Sequence, residues 1–284
     1  MAWISLMQNC PEPGLYIVST PIGNLSDLSG RAKEMLEAAD LILVEDSRVT
    51  GKLLHHLGLK KRMRPYHDHS TLADRDAVVA RLAHEVVVLV SDAGTPLIAD
   101  PGYKLVAAAR SAGHHVSAAP GPSAAIMALT LSGLPTDRFL FAGFLPSKEK
   151  ARRDALEKVA ALDLTLVFYE TGPRLGKSLA AATEVLGERP AAVARELTKL
   201  YEEVATGTLA DLTDRYAEAP PKGEIVLVIG PPLATGPASD TDIDAAIDEA
   251  LQTETPSRAA RVIADRFGMK KNDAYARIQA RTKQ

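Results

Sequence analysis

The sequence predicts an α/β protein with two α/β domains, a cleft between them and a small C-terminal helical module. Short β-branched runs alternate with helical patterns from residue 15 to about residue 230. Such continuous apolar runs are typical of parallel strands covered on both faces, so the first sheet is predicted to be mainly parallel. In the second half two strand patterns follow each other directly, which favours a mixed sheet. The predicted domains are residues 14–134, 135–232 and 240–284.

The elements of the first domain follow from its apolar pattern. Strands are predicted at residues 15–18, 41–44 and 86–90, where apolar side chains are continuous. Apolar residues at helical spacing predict helices around residues 32–39 and 77–83, and another helix that Gly58 closes.

The second domain is predicted to begin with residues 135–146, as a crossing strand and a hinge. Its other strands are predicted at residues 164–169, 192–195, 201–206 and 225–229. A helix ending at Leu186 follows the first of these strands. The Gly-, Pro- and Ser-rich residues 231–239 predict a linker.

The tail differs in charge from the rest of the chain. Residues 240–254 carry six acidic and no basic side chains, whereas residues 256–284 carry eight Lys or Arg and two Asp. A helical pattern begins at Thr255-Pro256, breaks at Gly268 and resumes. This pattern predicts a module of the helix-turn-helix type.

Composition excludes several classes of protein. Of the 284 residues, 46% are hydrophobic and 24% charged, as in ordinary globular proteins. Neither a transmembrane run nor a signal-peptide pattern is present, and the single cysteine, Cys10, fits a reducing compartment, so a cytoplasmic protein is expected. The sequence contains no Cys/His cluster with the spacing of a zinc site, so no metal site is predicted. The net charge of −3 means that any RNA contact must depend on local patches.

Three loops at predicted strand ends carry the strongest chemical signal. They are residues 19–24 (STPIGN), 91–102 (SDAGTPLIADPG) and 120–125 (PGPSAA). Ligands of α/β sheets bind at such ends, and the small residues predict a ligand held mainly by main chain. Ser123 is expected to cap the next helix. One such loop is also typical of a plain turn, but three together predict a nucleotide-type cofactor site.

Other motifs narrow the choice of cofactor. No G-x-G-x-x-G follows the first strand, and the sequence contains neither a P-loop nor a nucleophile elbow. The loops are accompanied by Glu45-Asp46-Ser47-Arg48, by Phe168-Tyr169-Glu170 and by the segments at 195–199 and 222–224. Together these motifs resemble the ribosomal RNA branch of the tetrapyrrole-methylase superfamily over about residues 14–230. Ser47 stands where that branch has Thr and keeps the hydroxyl, and Ser70 stands where it has Asn.

The resemblance implies an S-adenosylmethionine (AdoMet)-dependent methyltransferase acting on the ribose 2′-hydroxyl of a cytidine in the decoding centre of 16S rRNA. It further implies a homodimer, with AdoMet folded in the cleft between the domains. The residues that it implies for cofactor binding are Ile22, Gly23, Ala93, Gly94, Thr95, Ile98, Ser123, Ala124, Tyr169 and Glu170.

A ribose hydroxyl must lose its proton during methylation, so an acid or imidazole is expected near the cleft. Glu45, Asp46 and His67 are the catalytic candidates because they follow predicted strands. Glu45 is preferred, since relatives in the superfamily place an acid at its position. Alternatively, Glu45 or Asp46 pairs with Arg48 to hold the loop, and His67 is structural. Asp100 is expected to orient its own loop.

RNA binding requires basic patches that neutralise phosphates. The candidates are Lys60, Lys61, Arg62, residues 148–153, Arg258, Arg261, Lys270 and Lys271. Such runs are also typical of solvated faces, and the tail could equally contact a second subunit.

Three functions therefore stand open: an rRNA ribose methyltransferase, a tetrapyrrole C-methylase with the same fold and cofactor, and a non-enzymatic RNA-binding factor of ribosome assembly. The motif at 45–48 and the basic tail favour the first, because a porphyrin-like acceptor needs neither.

Overall fold

The computed structural model describes residues 11–67, 70–217, 220–233, 240–252 and 254–282. Cys10 and residues 234–239 of the predicted linker lie outside these ranges. The chain divides into two compact units, one ending at Pro232 and one beginning at Leu233. Within the described ranges, no helix is long and apolar enough to cross a membrane.

The first sheet consists of five parallel strands in the order β3-β2-β4-β1-β5. These strands are β1 (Gly14–Val18), β2 (Leu41–Val44), β3 (Met63–Pro65), β4 (Val86–Leu89) and β5 (Val116–Ala119). The helices between them are α1 (Gly30–Ala38), α2 (Ser47–His56), α3 (Leu72–Arg81) and α4 (Tyr103–Ser111). Every residue of β2 and β4 is buried, with an apolar cluster on each face of the sheet. The parallel sheet predicted from the continuous apolar runs is confirmed.

The second sheet is mixed, as predicted. Its strands are β6 (Phe139–Phe144), β7 (Thr165–Thr171), β8 (Pro190–Arg195), β9 (Glu203–Thr208) and β10 (Glu224–Ile229). Their order is β6-β7-β10-β8-β9, in which β6 is parallel to β7 and the other pairs are antiparallel. One face packs against α6 (Glu149–Ala160), α7 (Gly172–Leu186) and α8 (Leu209–Arg215).

The other face of the second sheet is covered by α5 (Ala124–Leu131). Buried Ala128 and Leu129 of this helix share one apolar cluster with Val226 and with Ile22 of the first domain. The helix therefore packs on the second sheet although it precedes residue 135. Ile22 extends the same packing to the loop after β1, which brings the ligand-binding edges of the two sheets together.

The C-terminal unit contains three helices, α9 (Asp240–Leu251), α10 (Pro256–Phe267) and α11 (Lys271–Thr282). Gly268 ends α10 in the left-handed conformation with φ of 63°, which accounts for the tight turn before α11. The core of the unit includes the fully buried Ile247 and Ile278. The helix-turn-helix pattern predicted for the tail is thus present.

Candidate functional site

The three predicted loops meet at the carboxyl edge of the first sheet. The first loop (residues 19–24) and the second loop (residues 91–102) pair through two backbone hydrogen bonds: Thr20 N donates to Gly94 O at 2.9 Å, and Gly94 N to Thr20 O at 3.0 Å. The third loop (residues 120–125) approaches so closely that a Cβ on Gly121 would lie 2.8 Å from Ser19 Cβ. A side chain at position 121 would therefore separate the first and third loops.

Thr95 connects all three loops through its hydroxyl. Its Oγ1 donates to Pro122 O at 3.1 Å and lies 3.0 Å from Ser19 Oγ. Since a hydroxyl has a single hydrogen, Ser19 is the donor in the second contact. Thr95 thus fixes the relative positions of the loops rather than offering a free hydroxyl.

The second loop holds an unusual backbone. Leu97 and Ala99 have φ of 73° and 65°, in the left-handed region that residues with a side chain rarely adopt. Gly94 is also left-handed, with φ of 79°, and a Cβ there would lie 3.3 Å from Ile22 Cγ2. The loop is therefore held in a costly conformation at the edge where ligands bind.

The loops form one wall of a cavity of about 400 Å³, a volume within the range of small-molecule sites. The opposite wall comes from the ends of β7, β8 and β10 and from the loop after β8. The lining residues of the first domain are Ile22, Glu45, Asp92, Ala93, Gly94, Thr95, Ile98, Ala99, Asp100 and Ala124. The cavity thus occupies the predicted cleft between the two sheets.

Acidic side chains dominate the described lining. Six carboxylates face the cavity, against one lysine: Glu45, Asp92, Asp100, Glu170, Glu196, Glu224 and Lys199. Lys199 is itself paired, with Nζ at 3.1 Å from Glu196 Oε1. The cavity therefore attracts a cationic ligand and repels phosphate groups.

Burial raises the pKa of the Asp100 carboxyl to about 6. A hydrogen bond from Ser91 acts in the opposite direction, while the negative charges of Glu45 and Asp92 add to the rise. Asp100 therefore changes its charge close to neutral pH, and a cation bound in the cavity would favour the ionised form.

Of the ten residues predicted to bind the cofactor, eight line the cavity. Ser123 and Gly23 do not. Ser123 precedes α5, but the prediction that its side chain caps this helix is wrong. Its hydroxyl instead bonds to Tyr169, whose pKa is raised by burial. Gly23 faces a neighbouring cavity.

Glu170 lines the cavity with its carboxylate already engaged in the second domain. Its Oε2 accepts from Ser178 Oγ at 2.6 Å, and its Oε1 accepts from Thr171 N at 2.9 Å. Arg174 Nε lies 3.1 Å from Oε1. The side chain of Glu170 is therefore fixed by its own domain.

The three catalytic candidates separate in the structure. Glu45 follows β2, is half-buried and lines the cavity. Asp46 binds Arg48 through both carboxylate oxygens and begins α2, contacts that lower the pKa of Asp46 to about 2. His67 is exposed, is not among the lining residues and donates its backbone N–H to Ser70 Oγ at 3.0 Å. Pairing with Arg48 is thus observed for Asp46, and Glu45 faces the cleft.

The sequence motifs did not single out Glu224 or the individual side chains of Glu196 and Lys199 as lining residues. Glu224 reaches the cavity because β10 lies beside β7, where Glu224 pairs with Thr171. Glu196 begins the loop after β8 in the left-handed conformation, with φ of 50°. The segment at 195–199, which contains Glu196 and Lys199, was recognised as a motif. For Glu224, the available signal was its place in the motif at 222–224, directly after Gly223.

Several candidate RNA-binding side chains have structural partners. Lys61 Nζ donates to Ala39 O at 3.0 Å and to Glu37 O. In the segment at 148–153, buried Arg152 donates to Ser147 O at 2.9 Å, and Arg153 pairs with glutamates of α6 and α7. Lys60 and Arg62 are exposed.

In the C-terminal unit, the arginines of α11 face the acidic helix α9. Arg277 Nε donates to Asp244 Oδ1 at 2.7 Å, and Arg281 Nη2 to Asp248 Oδ2 at 2.5 Å. Among the candidates, Lys270 and Lys271 are exposed, Arg258 Nη1 lies 3.8 Å from a carboxylate oxygen of Glu254, and Arg261 lies exposed on α10. Part of the basic excess of the tail is therefore neutralised within the unit.

Comparisons with known proteins agree with this fold. The model of the family of Tetrapyrrole (Corrin/Porphyrin) Methylases matches residues 14–213, and that of the RsmI C-terminal HTH domain matches residues 237–282. Among solved structures, uroporphyrin-III-C-methyltransferase from Thermus thermophilus is similar, with a TM-score of 0.53, 24% identity and coverage of 77% of this chain and 94% of that one. Diphthine synthase has a TM-score of 0.60 at 15% identity, and the match covers 76% of this chain and 89% of that one. These likenesses show the fold.

The curated relatives are more similar. Ribosomal RNA small subunit methyltransferase I of Erythrobacter litoralis (strain HTCC2594) is 56% identical, over 94% of each chain. The protein of the same name in Escherichia coli O157:H7 is 47% identical, over 92% of this chain and 93% of its own. The fold and the site thus define a methyltransferase whose cofactor is AdoMet. The chain belongs to the tetrapyrrole methylase family and, within it, to the group of ribosomal RNA small subunit methyltransferase I proteins.

The residues of the cavity fit this cofactor. AdoMet carries a sulfonium and an ammonium group, which suit a lining of six carboxylates. Gly94, Ala93 and Ala124 leave room for close contact with the main chain, as the sequence predicts for a ligand held without long side chains.

Proposed function

We propose that this methyltransferase methylates the ribose 2′-hydroxyl of a cytidine in the decoding centre of 16S rRNA, within the small ribosomal subunit. The observation that carries the proposal is Glu45, a carboxylate on the wall of the cofactor cavity. The names of the relatives support the rRNA substrate, and the basic helix-turn-helix unit supports RNA binding.

The cavity performs two tasks in such a transfer. When bound, AdoMet supplies an activated methyl group on sulfur. The three loops would hold the cofactor, so that the acceptor oxygen can be aligned with the bond between the methyl carbon and sulfur. As the methyl group passes from sulfur to the acceptor oxygen, Glu45 would accept the proton of the hydroxyl. The eight predicted cofactor contacts that line the cavity and the base role of Glu45 belong to this proposal, whereas Gly23, Ser123, His67 and Asp46 have no part in it.

RNA phosphates must bind outside the acidic cavity, because its carboxylates repel them. We infer that the C-terminal unit supplies contacts through Lys270, Lys271, Arg258 and Arg261. Lys270 and Lys271 are exposed at the start of α11, whereas Arg277 is occupied by α9. Lys60 and Arg62 offer a further exposed basic patch on the first domain.

Label transfer tests the function. With tritium-labelled AdoMet, we expect methylation of small-subunit rRNA, and comparison of naked 16S rRNA with intact 30S subunits identifies the true substrate. Mapping the product should place the methyl group on a cytidine 2′-oxygen. Labelling of a precorrin but of neither RNA substrate would support tetrapyrrole methylation instead. Failure to bind AdoMet at millimolar concentration in calorimetry would favour a non-enzymatic assembly factor.

The charge on Asp100 predicts a pH dependence of cofactor binding. With a pKa of about 6, Asp100 is mostly neutral at pH 5 and mostly ionised at pH 7. If a bound cation lowers this pKa by about one unit, the affinity for AdoMet should rise about fivefold from pH 5 to pH 7. Calorimetry on Asp100→Asn should show a nearly flat dependence. A variant that keeps the full pH dependence would assign it to another group.

We also propose that the chain acts as a cytoplasmic homodimer. The solvent-facing side of α5 exposes Ile126, Met127 and Leu131, with 47%, 37% and 42% of their surfaces accessible, and a second copy could cover them. Light scattering should give about twice the chain mass of 30.3 kDa. Combining Ile126→Lys with Leu131→Lys should yield monomers, whereas Leu162→Lys, at another exposed apolar position, should not. Monomeric wild-type protein would contradict the proposal.

A further inference from the structure

A second cavity, of about 230 Å³, adjoins the cofactor cavity. It lies between the first loop, with its continuation to Leu25, and one face of α2. Its lining includes Pro21, Gly23, Leu25, Val49, Lys52 and Asp92. None of these residues except Asp92 lines the cofactor cavity.

The first loop separates the two cavities. Ile22 lines the cofactor cavity, while its neighbours Pro21 and Gly23 line the second. Asp92 lines both cavities and therefore marks where they adjoin. A group bound in the second cavity would thus reach the cofactor cavity beside Asp92, close to the wall that carries Glu45.

The wall at Asp92 is fixed in place. Asp92 Oδ1 accepts a hydrogen bond from Asp46 N at 3.0 Å, which ties the second loop to the start of α2. The motif at residues 45–48 thereby helps to build the second cavity as well as presenting Glu45 to the first. The motif therefore has a structural role beside the second cavity in addition to any role in the cofactor cavity.

The second cavity also differs from the first in its chemistry. Its described lining contains one carboxylate, Asp92, and one lysine, Lys52, among apolar and hydroxyl side chains. Leu25 and Val49 are 46% and 38% exposed, so the cavity presents apolar surface to solvent. Exposed apolar surface suits an unstacked base, and an exposed lysine suits a phosphate.

We propose that the second cavity binds the acceptor ribonucleotide, with its base against Leu25 and Val49 and a neighbouring phosphate on Lys52. This inference rests on the proposed function. The ribose hydroxyl then lies at the junction beside Asp92, where the two cavities adjoin. The cofactor and the acceptor thereby enter from opposite sides of the first loop.

Two variants test this assignment. Val49→Phe fills the cavity from an exposed position of α2, and Lys52→Ala removes its cation. Each should lower kcat/KM for the rRNA substrate by about tenfold or more, while Kd for AdoMet, measured by calorimetry, stays within about twofold. Lys33→Ala, at an exposed position of α1, is the matched control and should leave kcat/KM unchanged. Unaltered AdoMet binding also shows that each variant is folded.

Each outcome has a distinct meaning. Normal kcat/KM in both variants overturns the acceptor assignment while leaving the proposed function intact. A parallel loss of AdoMet affinity also overturns it, because the second cavity would then belong to the cofactor site. If the wild-type enzyme labels no RNA, the proposed function itself fails, and the inference fails with it.

Discussion

Replacing Glu45 by glutamine should lower kcat for RNA methylation by about 10²–10⁴-fold, the range typical of losing a general base. Glutamine keeps the size of the side chain and its place on the cavity wall but cannot accept the hydroxyl proton. Kd for AdoMet should change by only about twofold, because five other carboxylates line the cavity. Single-turnover kinetics at saturating AdoMet measures the chemical step, and calorimetry measures affinity.

Glu224→Gln is the matched control for Glu45→Gln. Glu224 lines the same cavity from β10 and is exposed, so its loss removes an equal charge without removing the proposed base. We expect kcat to stay within about threefold of the wild-type value. If Glu45→Gln instead lowers affinity and turnover equally, Glu45 serves only to build the cofactor site.

Removing the basic residues at the start of α11 should weaken RNA binding and make it less sensitive to salt. Two phosphate contacts to single-stranded RNA contribute about 1.4 to the slope of log affinity against log salt concentration. The slope of the double variant Lys270→Ala, Lys271→Ala should be shallower by about that amount. Deletion of residues 240–284 should make the slope shallower still. Filter binding at salt concentrations from about 50 to about 200 mM measures the slope.

Lys104→Ala provides the control for the tail, since Lys104 is exposed on α4 in the other unit. It should leave the salt dependence as in the wild type. A double variant with an unaltered slope would show that the tail does not contact RNA, and a change in oligomer mass instead would identify it as a subunit contact.

The sequence predicts most of the fold because the apolar pattern and the burial agree. The runs at residues 41–44 and 86–90 read as strands buried on both faces, and both are fully buried. Helix α8 was not predicted, although Thr208 and Asp211 form a capping box at its start. The order of strands in the second sheet could not be predicted, because pairing of β10 between β7 and β8 depends on packing across the whole domain.

The three loops, which form the site with their main chain, could be predicted from the sequence. The side chains that line the rest of the cavity were harder to predict. Glycine and proline spacing identified the loops, since their backbone conformations require those residues. Which of Glu45 and Asp46 faces the cavity was not predictable, because neighbouring residues at a strand end point in different directions. Glu224 was missed because only the strand order brings it to the cleft.

The acidic lining of the cavity has a consequence for the release of product. Its carboxylates attract the cofactor through the positive charge on sulfur, and methyl transfer removes that charge. The six side chains therefore hold the spent, thioether form less strongly than the fresh one. The proposed transfer of a proton to Glu45 in the same step would not restore the attraction. The acidic lining that attracts AdoMet thus also favours replacement of the thioether product by fresh AdoMet after each turnover.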